Sequence, residues 1–282
     1  MFNRLPKRPE DAHKGTFGKV MVIAGSASFL GAAHLVCEAS YRVGAGLVTL
    51  ASIPLVCQIT AGKISEVTYL LLPNKIGIIA QDSINLIAKN LSQFDALVVG
   101  PGLGLSDETI NLIKALLKLK LPPAVFDADC LNALAKINDW WVGLKGEIIL
   151  TPHPGEMSRL TGIPVQEIQA YRQKIAKTFT KKWGVVLALK GANTVVVSPA
   201  GEVSVSPFAN PLLSTGGSGD IYAGMIAGFL AQGVDSFDST YLASYIQGLA
   251  AKEASREFGE SGMLASNLLK YLPKAIVKLK KI

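Results

Sequence analysis

Lys19–Ala51 reads KVMVIAGSASFLGAAHLVCEASYRVGAGLVTLA, and the fold class turns on this stretch. Lys19–Ala24 is a short apolar run rich in β-branched residues, bounded by Gly18 and Gly25, which predicts a strand. The GSASFLGAAH segment leads into a helix over about Ala32–Val43, with Leu35, Val36, Ala39 and Val43 on one face. Gly46–Ala51 reads as a second strand. Strand, glycine loop, helix, strand is a βαβ unit, and its crossover requires the strands to pair in parallel. The loop has neither GxGxxG spacing nor a Walker lysine, so neither a Rossmann nor a P-loop site is supported.

The same alternation continues outward. Asp95–Gly100 predicts a buried strand running into Pro101-Gly102-Leu103-Gly104, and Ile110–Leu119 an amphipathic helix stopped by Pro122-Pro123. Ala124–Phe126 delivers Asp127 and Asp129, and Glu147–Leu150 precedes Thr151-Pro152-His153-Pro154-Gly155-Glu156. A helix is expected over about Val165–Trp183, then a strand over Val185–Leu189 ending at Lys190-Gly191. Thr194–Val197 and Val203–Val205 suggest a hairpin around Pro199-Ala200-Gly201, and helices over Tyr222–Ala231, Thr240–Glu257 and Ala265–Lys280 close the chain. No repeat or linker interrupts the pattern. The expectation is one domain across 1–282, an α/β fold of three layers (α/β/α) with a mostly parallel, doubly wound sheet.

Composition bounds the function class. The 282 residues are 49% hydrophobic and carry 27 glycines and a net charge of +7, enough for a large core. No apolar run reaches the 18 or so residues of a membrane span, and the first residues show no secretory h-region. Cys37, Cys57 and Cys130 have no C-x-x-C spacing, which suits a reducing compartment without structural zinc. A cytoplasmic protein with no membrane partner is expected. Lys270, Lys274, Lys278, Lys280 and Lys281 read as a solvated helix face rather than a nucleic-acid surface, because only Tyr271 is interleaved with them. The remaining positive charge suits small polyanions such as nucleotides.

The PGLG, DAD, TPHPGE, KGANT and GGSGD motifs are each expected just after a strand, at the edge where open α/β sheets bind ligands. In NPLLSTGGSGD (Asn210–Asp220) the amides of Gly216, Gly217, Ser218 and Gly219 open a helix, which makes an anion pocket. A carboxylate beside such a pocket is electrostatically costly. Asp220 is therefore read as a base for a hydroxyl accepting a phosphoryl group, with helix capping as the plain alternative. Lys190 could place an ammonium near phosphates, or be a surface lysine. His153, stiffened between two prolines, suits a substrate contact better than a metal site, since no Cys or second His is near it in sequence. Asp127 and Asp129 could hold magnesium or cap the next helix, the cap being the expectation for Asp129; Glu156 has the same capping alternative. His13 and His34 attract no role.

With these motifs assembled, the chain resembles the ADP- or ATP-dependent NAD(P)H-hydrate dehydratases, relatives of the ribokinase-like kinases. The likeness runs from HKGTFG (His13–Gly18) through AGS, GAA, GAGLV, GPGLG, DADCLNAL, LTPHPGEMSRL and LKGANT to NPLLSTGGSGD, covering about His13 to Pro273. Cys130, Ser218 and Asn267 depart from the usual residues without touching named chemistry. The family's frequent N-terminal epimerase domain is not seen, so no second activity is implied. The resemblance implies a ribokinase-like fold, a homo-oligomer such as a tetramer, and repair of hydrated NADH and NADPH (NADHX and NADPHX). A nucleotide would phosphorylate the C6 hydroxyl, and phosphate would then leave. It implies Asp220 as base, with Gly217, Ser218 and Gly219 stabilising the transferring group. Lys190, Gly191, Ala192, Asn193, Thr194 and Gly219 would line the nucleotide side; Ala32, Gly102, Gly104, His153 and Asp220 the substrate side. Magnesium would come with ADP or ATP, bound through phosphates and water with no protein ligand set. A small-molecule kinase of the same fold and a non-catalytic nucleotide-binding module remain alternatives.

Overall fold

The computed structural model describes residues 5–281, so residues 1–4 and 282 of the expected 1–282 domain lie outside the described residues. In chain order the elements are β1 (Lys19–Ile23), α1 (Leu30–Arg42), β2 (Leu47–Ser52), α2 (Pro54–Ala61), β3 (Thr68–Leu71), β4 (Asn74–Lys75), β5 (Ile78–Ile79), α3 (Ile84–Leu91), β6 (Ala96–Val99), α4 (Asp107–Leu116), β7 (Ala124–Phe126) and α5 (Asp129–Leu134). There follow β8 (Ile148–Leu150), α6 (Pro154–Thr161), α7 (Val165–Ala170), α8 (Arg172–Trp183), β9 (Val186–Leu189), β10 (Val195–Val197), β11 (Val203–Val205), α9 (Ser218–Ala231), α10 (Ser236–Phe258), α11 (Ala265–Leu268) and α12 (Leu272–Leu279).

The main sheet has nine strands in the order β11-β10-β9-β8-β7-β6-β1-β2-β3. All pairings from β3 across to β9 are parallel, and β10 and β11 extend that edge antiparallel. Every residue of β6, β7, β8 and β9 is buried. Strands buried on both faces need helices above and below, which is why these runs are continuously apolar rather than alternating. α9 packs on β1, β6 and β7 and against α1 and α10, while α8 covers β9 and β10.

α9 is apolar nearly all round because it is enclosed, with Ile221–Ala231 entirely buried. Its small residues allow α1 close approach: a Cβ on Gly224 would lie 2.3 Å from Val36 O, and one on Gly228 2.4 Å from Val43 Cγ2. Ser40 Oγ donates to Gly224 O at 2.9 Å across the seam. This contact fixes where the N-terminus of α9 points.

Several expected boundaries shift. The helix expected over Val165–Trp183 is two helices, broken at Tyr171 (φ −126°, ψ 36°). The last helix is likewise split, restarting at Leu272 with Pro273 in the first turn, where its fixed φ and missing N–H cost nothing. The amphipathic helix starts at Asp107, capped by the Ser106 hydroxyl, and ends at Leu116, before the proline pair. α9 begins at Ser218 rather than Tyr222, so Ser218, Gly219 and Asp220 belong to its first turn. β3, β4, β5, α2 and α3 were not foreseen. The three cysteines are buried and unpaired. Lys270, Lys274, Lys278, Lys280 and Lys281 are all exposed, as expected of a solvated face. No helix among the described residues is long and apolar enough to cross a membrane.

Candidate active site

Four of the motif loops leave the C-terminal ends of neighbouring parallel strands: PGLG after β6, Asp127–Asp129 after β7, TPHPGE after β8 and Lys190-Gly191 after β9. GGSGD differs from expectation. It does not follow a strand directly, because residues 206–215, with a short 3-10 turn at Pro211–Leu213, separate it from β11. It reaches the same edge because α9 lies across the sheet.

The loops are cross-linked by hydrogen bonds and charge. Gly25 N–H donates to Pro101 O at 2.8 Å, tying the loop after β1 to PGLG. Gly104 N–H donates to Asp129 Oδ2 at 2.8 Å, and the Asn132 side-chain amide donates to Asp129 Oδ1. Asp129 therefore straps the PGLG loop instead of capping its own helix, which has no side-chain cap. Asp127, 1% exposed, accepts from Thr151 Oγ1 at 2.8 Å and from Lys190 Nζ at 2.6 Å. Lys190 Nζ is also 3.9 Å from Glu156 Oε2. Lys190 is thus no free surface lysine.

TPHPGE opens α6 through a reciprocal cap. Gly155 and Glu156 N–H donate to His153 Nδ1, and His153 N–H donates to Glu156 Oε2 at 2.8 Å. Pro154 holds the first helical position. With Nδ1 accepting, the ring proton of neutral His153 sits on Nε2, on the other side of the ring. Burial, then the Lys190 and Arg159 cations, lower the His153 pKa and favour that neutral form. The capping reading of Glu156 holds, and the carboxyl does more than cap: burial pushes its pKa to about 7, with Lys190 opposing and Asp127 assisting.

At α9 the N-cap is Gly217, at φ 94°, and no side chain caps the helix. Ser218 N–H turns back to Thr215 O at 3.3 Å, and Asp220 in the first turn is no cap. A Cβ on Gly217 would meet Leu35 Cδ1 at 2.5 Å, so this close approach to α1 admits only glycine. Ser218 Oγ donates to Leu213 O at 2.7 Å, and Gln247 Nε2 donates to Ser218 O at 2.7 Å, holding the turn from both sides. Asp220 is half-buried, and its pKa is raised to about 7, chiefly by burial and then by Asp127, with Asp129 adding and Lys190 opposing. For Lys190, burial acts downward, but Asp127, Glu156 and Asp220 outweigh it and raise its pKa. Ionised lysine among carboxylates that share protons near neutrality is an arrangement for moving a proton beside an anion.

A cavity of about 550 Å³ opens on one side of this cluster, lined by His153, Lys190, Gly191, Ala192, Thr194, Ser218 and Gly219. Asn193, at φ 55°, braces its wall by donating from Nδ2 to Ser206 O. On the other side Gly102 lies against α1: a Cβ there would be 2.8 Å from Phe29 Cβ and 2.9 Å from Ala32 Cβ. A Cβ on Gly104 would meet only Ser26 Oγ, at 3.8 Å. His153, expected on the substrate side, lines the cavity beside the residues expected on the nucleotide side, whereas Ala32, Gly102 and Gly104 do not line it. Phe208, Tyr222 and Gln247 also line the cavity and carry no motif that would have marked them. Among the described residues no group of three or more His, Cys, Asp or Glu is placed to hold a metal.

The residue profile of the NAD(P)H-hydrate dehydratases matches residues 20–274. The bifunctional NAD(P)H-hydrate repair enzyme Nnr of Moorella thermoacetica is 41% identical over 272 residues, 96% of this chain and 51% of that protein. The ADP-dependent (S)-NAD(P)H-hydrate dehydratase of Bacillus subtilis is 33% identical over 270 residues, 96% of this chain and 93% of that one. The crystal structure of the B. subtilis ADP/ATP-dependent NAD(P)H-hydrate dehydratase, co-crystallized with ATP/Mg2+, superposes with a TM-score of 0.86 at 31% identity, over 99% of this chain and 95% of that chain. The fold is the ribokinase-like one. The chain spans about half the length of the bifunctional relatives.

Proposed function

The chain belongs to the NAD(P)H-hydrate dehydratase family, and from that premise we propose that it restores hydrated NADH and NADPH using ADP or ATP. The observation that carries the reading is Asp220: a carboxyl with its pKa raised to about 7, in the first turn of an uncapped helix, between the two sides of the cleft. Hydroxide is a poor leaving group, and phosphate is a good one. Asp220 takes the proton of the C6 hydroxyl as the hydroxyl oxygen attacks the terminal phosphorus of the nucleotide, breaking its bond to the bridging oxygen and releasing AMP from ADP or ADP from ATP. The amides of Gly217 and Gly219 and the Lys190 ammonium face the charge that develops on the phosphoryl oxygens, and Ser218 N–H joins them by giving up its 3.3 Å bond to Thr215 O. The ring nitrogen lone pair then expels phosphate from C6, and loss of a C5 proton restores the C5–C6 double bond.

Lys190–Thr194 and Gly219 serve the nucleotide, while Ala32, Gly102, Gly104 and His153, whose Nε2 lies 3.4 Å from Glu156 Oε1, serve the hydrated dinucleotide. Asp127, Glu156 and Asp220 carry more negative charge than Lys190 offsets, which suits a hydrated Mg2+ held through the phosphates and water. Magnesium supplies charge neutralisation of the nucleotide when bound.

The test is incubation with chemically hydrated NADH and NADPH plus ADP or ATP and Mg2+, following return of the reduced-nicotinamide absorbance. The proposed activity restores the band only with nucleotide present. Accumulation of a stable phosphorylated alcohol would indicate a kinase of the same fold, and nucleotide binding without turnover a sensor.

A further inference from the structure

The Lys190-Gly191 turn rests on a side chain that no motif marks. Arg172 is the first residue of α8, directly after the break at Tyr171. A cation there faces the positive end of the helix dipole, and burial lowers its pKa. Among the described residues no carboxylate lies within ion-pair distance of its guanidinium. Neither helix stability nor a salt bridge accounts for an arginine at this position.

Its partners are the ends of the site. Nη2 donates to Leu189 O at 2.8 Å and lies 3.4 Å from Lys190 O, and Nη1 donates to Gln169 Oε1 at 3.0 Å. Leu189 ends β9, and the next two residues are the lysine and glycine of the turn. Gly191 sits at φ +142°, and a Cβ there would be 3.1 Å from Nη1 and 3.3 Å from Nη2. The guanidinium therefore packs closely against the turn, and a side chain at Gly191 would push it back. The turn is held on a second side by Lys190 N–H donating to Pro152 O at 2.8 Å.

We propose that Arg172 is a positioning residue that clamps the Leu189–Gly191 turn and so aims the Lys190 ammonium at the nucleotide phosphates. This rests on the reading of Lys190–Thr194 as the nucleotide side. Gln169 holds Nη1 while Nη2 serves both carbonyls, so the planar group is fixed in orientation, whereas a lysine offers a mobile point charge with no second anchored nitrogen. The clamp acts through Lys190, so it governs nucleotide binding and leaves the hydrated dinucleotide side untouched.

The experiment compares wild type, Arg172→Lys and Arg172→Gln by calorimetry with ADP and ATP, and by steady-state kinetics in each substrate. Affinity for nucleotide is expected to fall about tenfold or more in both variants. At saturating nucleotide, kcat falls as well, because Lys190 also faces the phosphoryl charge, while the KM for hydrated NADH is unchanged. Arg172→Lys binding nucleotide as wild type does would overturn the clamp, since charge alone would then suffice. An equal rise in both KM values, tracking a lowered Tm, would also overturn it by making Arg172 a general stabiliser. If wild type itself binds neither nucleotide, the functional reading fails and takes the clamp with it. If wild type binds and both variants match it, only the clamp fails.

Discussion

The two sides of the cleft are built from different material. Around Gly102 the wall is main chain and Cβ atoms: the PGLG loop, the first turn of α1, and a strap from Asp129 to Gly104 N–H. Around Gly219 it is the tips of charged side chains, with Lys190 Nζ 3.2 Å and Asp127 Oδ2 3.7 Å from where a Cβ would sit. A wall of backbone cannot yield without moving a helix, whereas the Lys190 ammonium can move by giving up its bond to Asp127. The proposed substrate side is thus the stiffer of the two and the proposed nucleotide side the more adjustable, with Asp220 proposed to act between them.

Removing the meeting point should have the largest effect. Asp220→Asn is expected to lower turnover on the order of 10²–10⁴-fold while leaving fold and nucleotide affinity intact, because a base acts in the transition state. Parallel turnover and calorimetry check this; a variant within a few-fold of wild type would break the assignment.

Substituting the same residue on each side sharpens the contrast. Gly102→Val puts a branched side chain at φ +64° against Phe29 and Ala32. It should cost about 1–3 kcal/mol of stability and raise the KM for the hydrated dinucleotide on the order of 10–100-fold, by displacing the wall. Denaturant melts and substrate titrations report both. Gly219→Val meets only side-chain ends, so its stability cost should be smaller. It should weaken ADP and ATP by about tenfold through displacing Lys190 and crowding the phosphates. If Gly219→Val instead raises the dinucleotide KM and spares the nucleotide, the two sides have been exchanged.

The smallest effect concerns stability against pH. The carboxyls of Asp220 and Glu156 have folded pKa values raised to about 7 from ordinary values of 3.8 and 4.5. The native state therefore binds more protons than the unfolded chain between those limits, and stability must fall as pH rises through that window. Denaturant midpoints for Asp220→Asn and Glu156→Gln should each show a flatter slope than wild type between pH 5 and 7.

The parallel α/β fold was legible because its inner strands are short, β-branched and buried on both faces, and because the odd residues fall just after them. The break at Tyr171 was not, since neither proline nor glycine stands there and the flanking pattern suits one helix. Asp127 and Lys190 were both noticed, but they lie 63 residues apart, and no local pattern says that one holds the other. Gln247 sits mid-helix in α10, and only the crossing of α10 on α9 brings it to Ser218. Asp129 looked like a cap because it opens a helix; the PGLG loop passing over it is a tertiary fact.

The most direct test of Asp220 as the base is the pH dependence of turnover under saturating nucleotide and hydrated NADH. A base must be ionised, so a pKa raised to about 7 places an ascending limb near or above neutrality, the phosphates of bound nucleotide pushing it upward. Wild type should lose about tenfold in kcat for each pH unit below that limb, and the residual activity of Asp220→Asn should lack it. A flat wild-type profile from pH 5.5 to 8.5, or the same limb persisting in Asp220→Asn, would contradict the account.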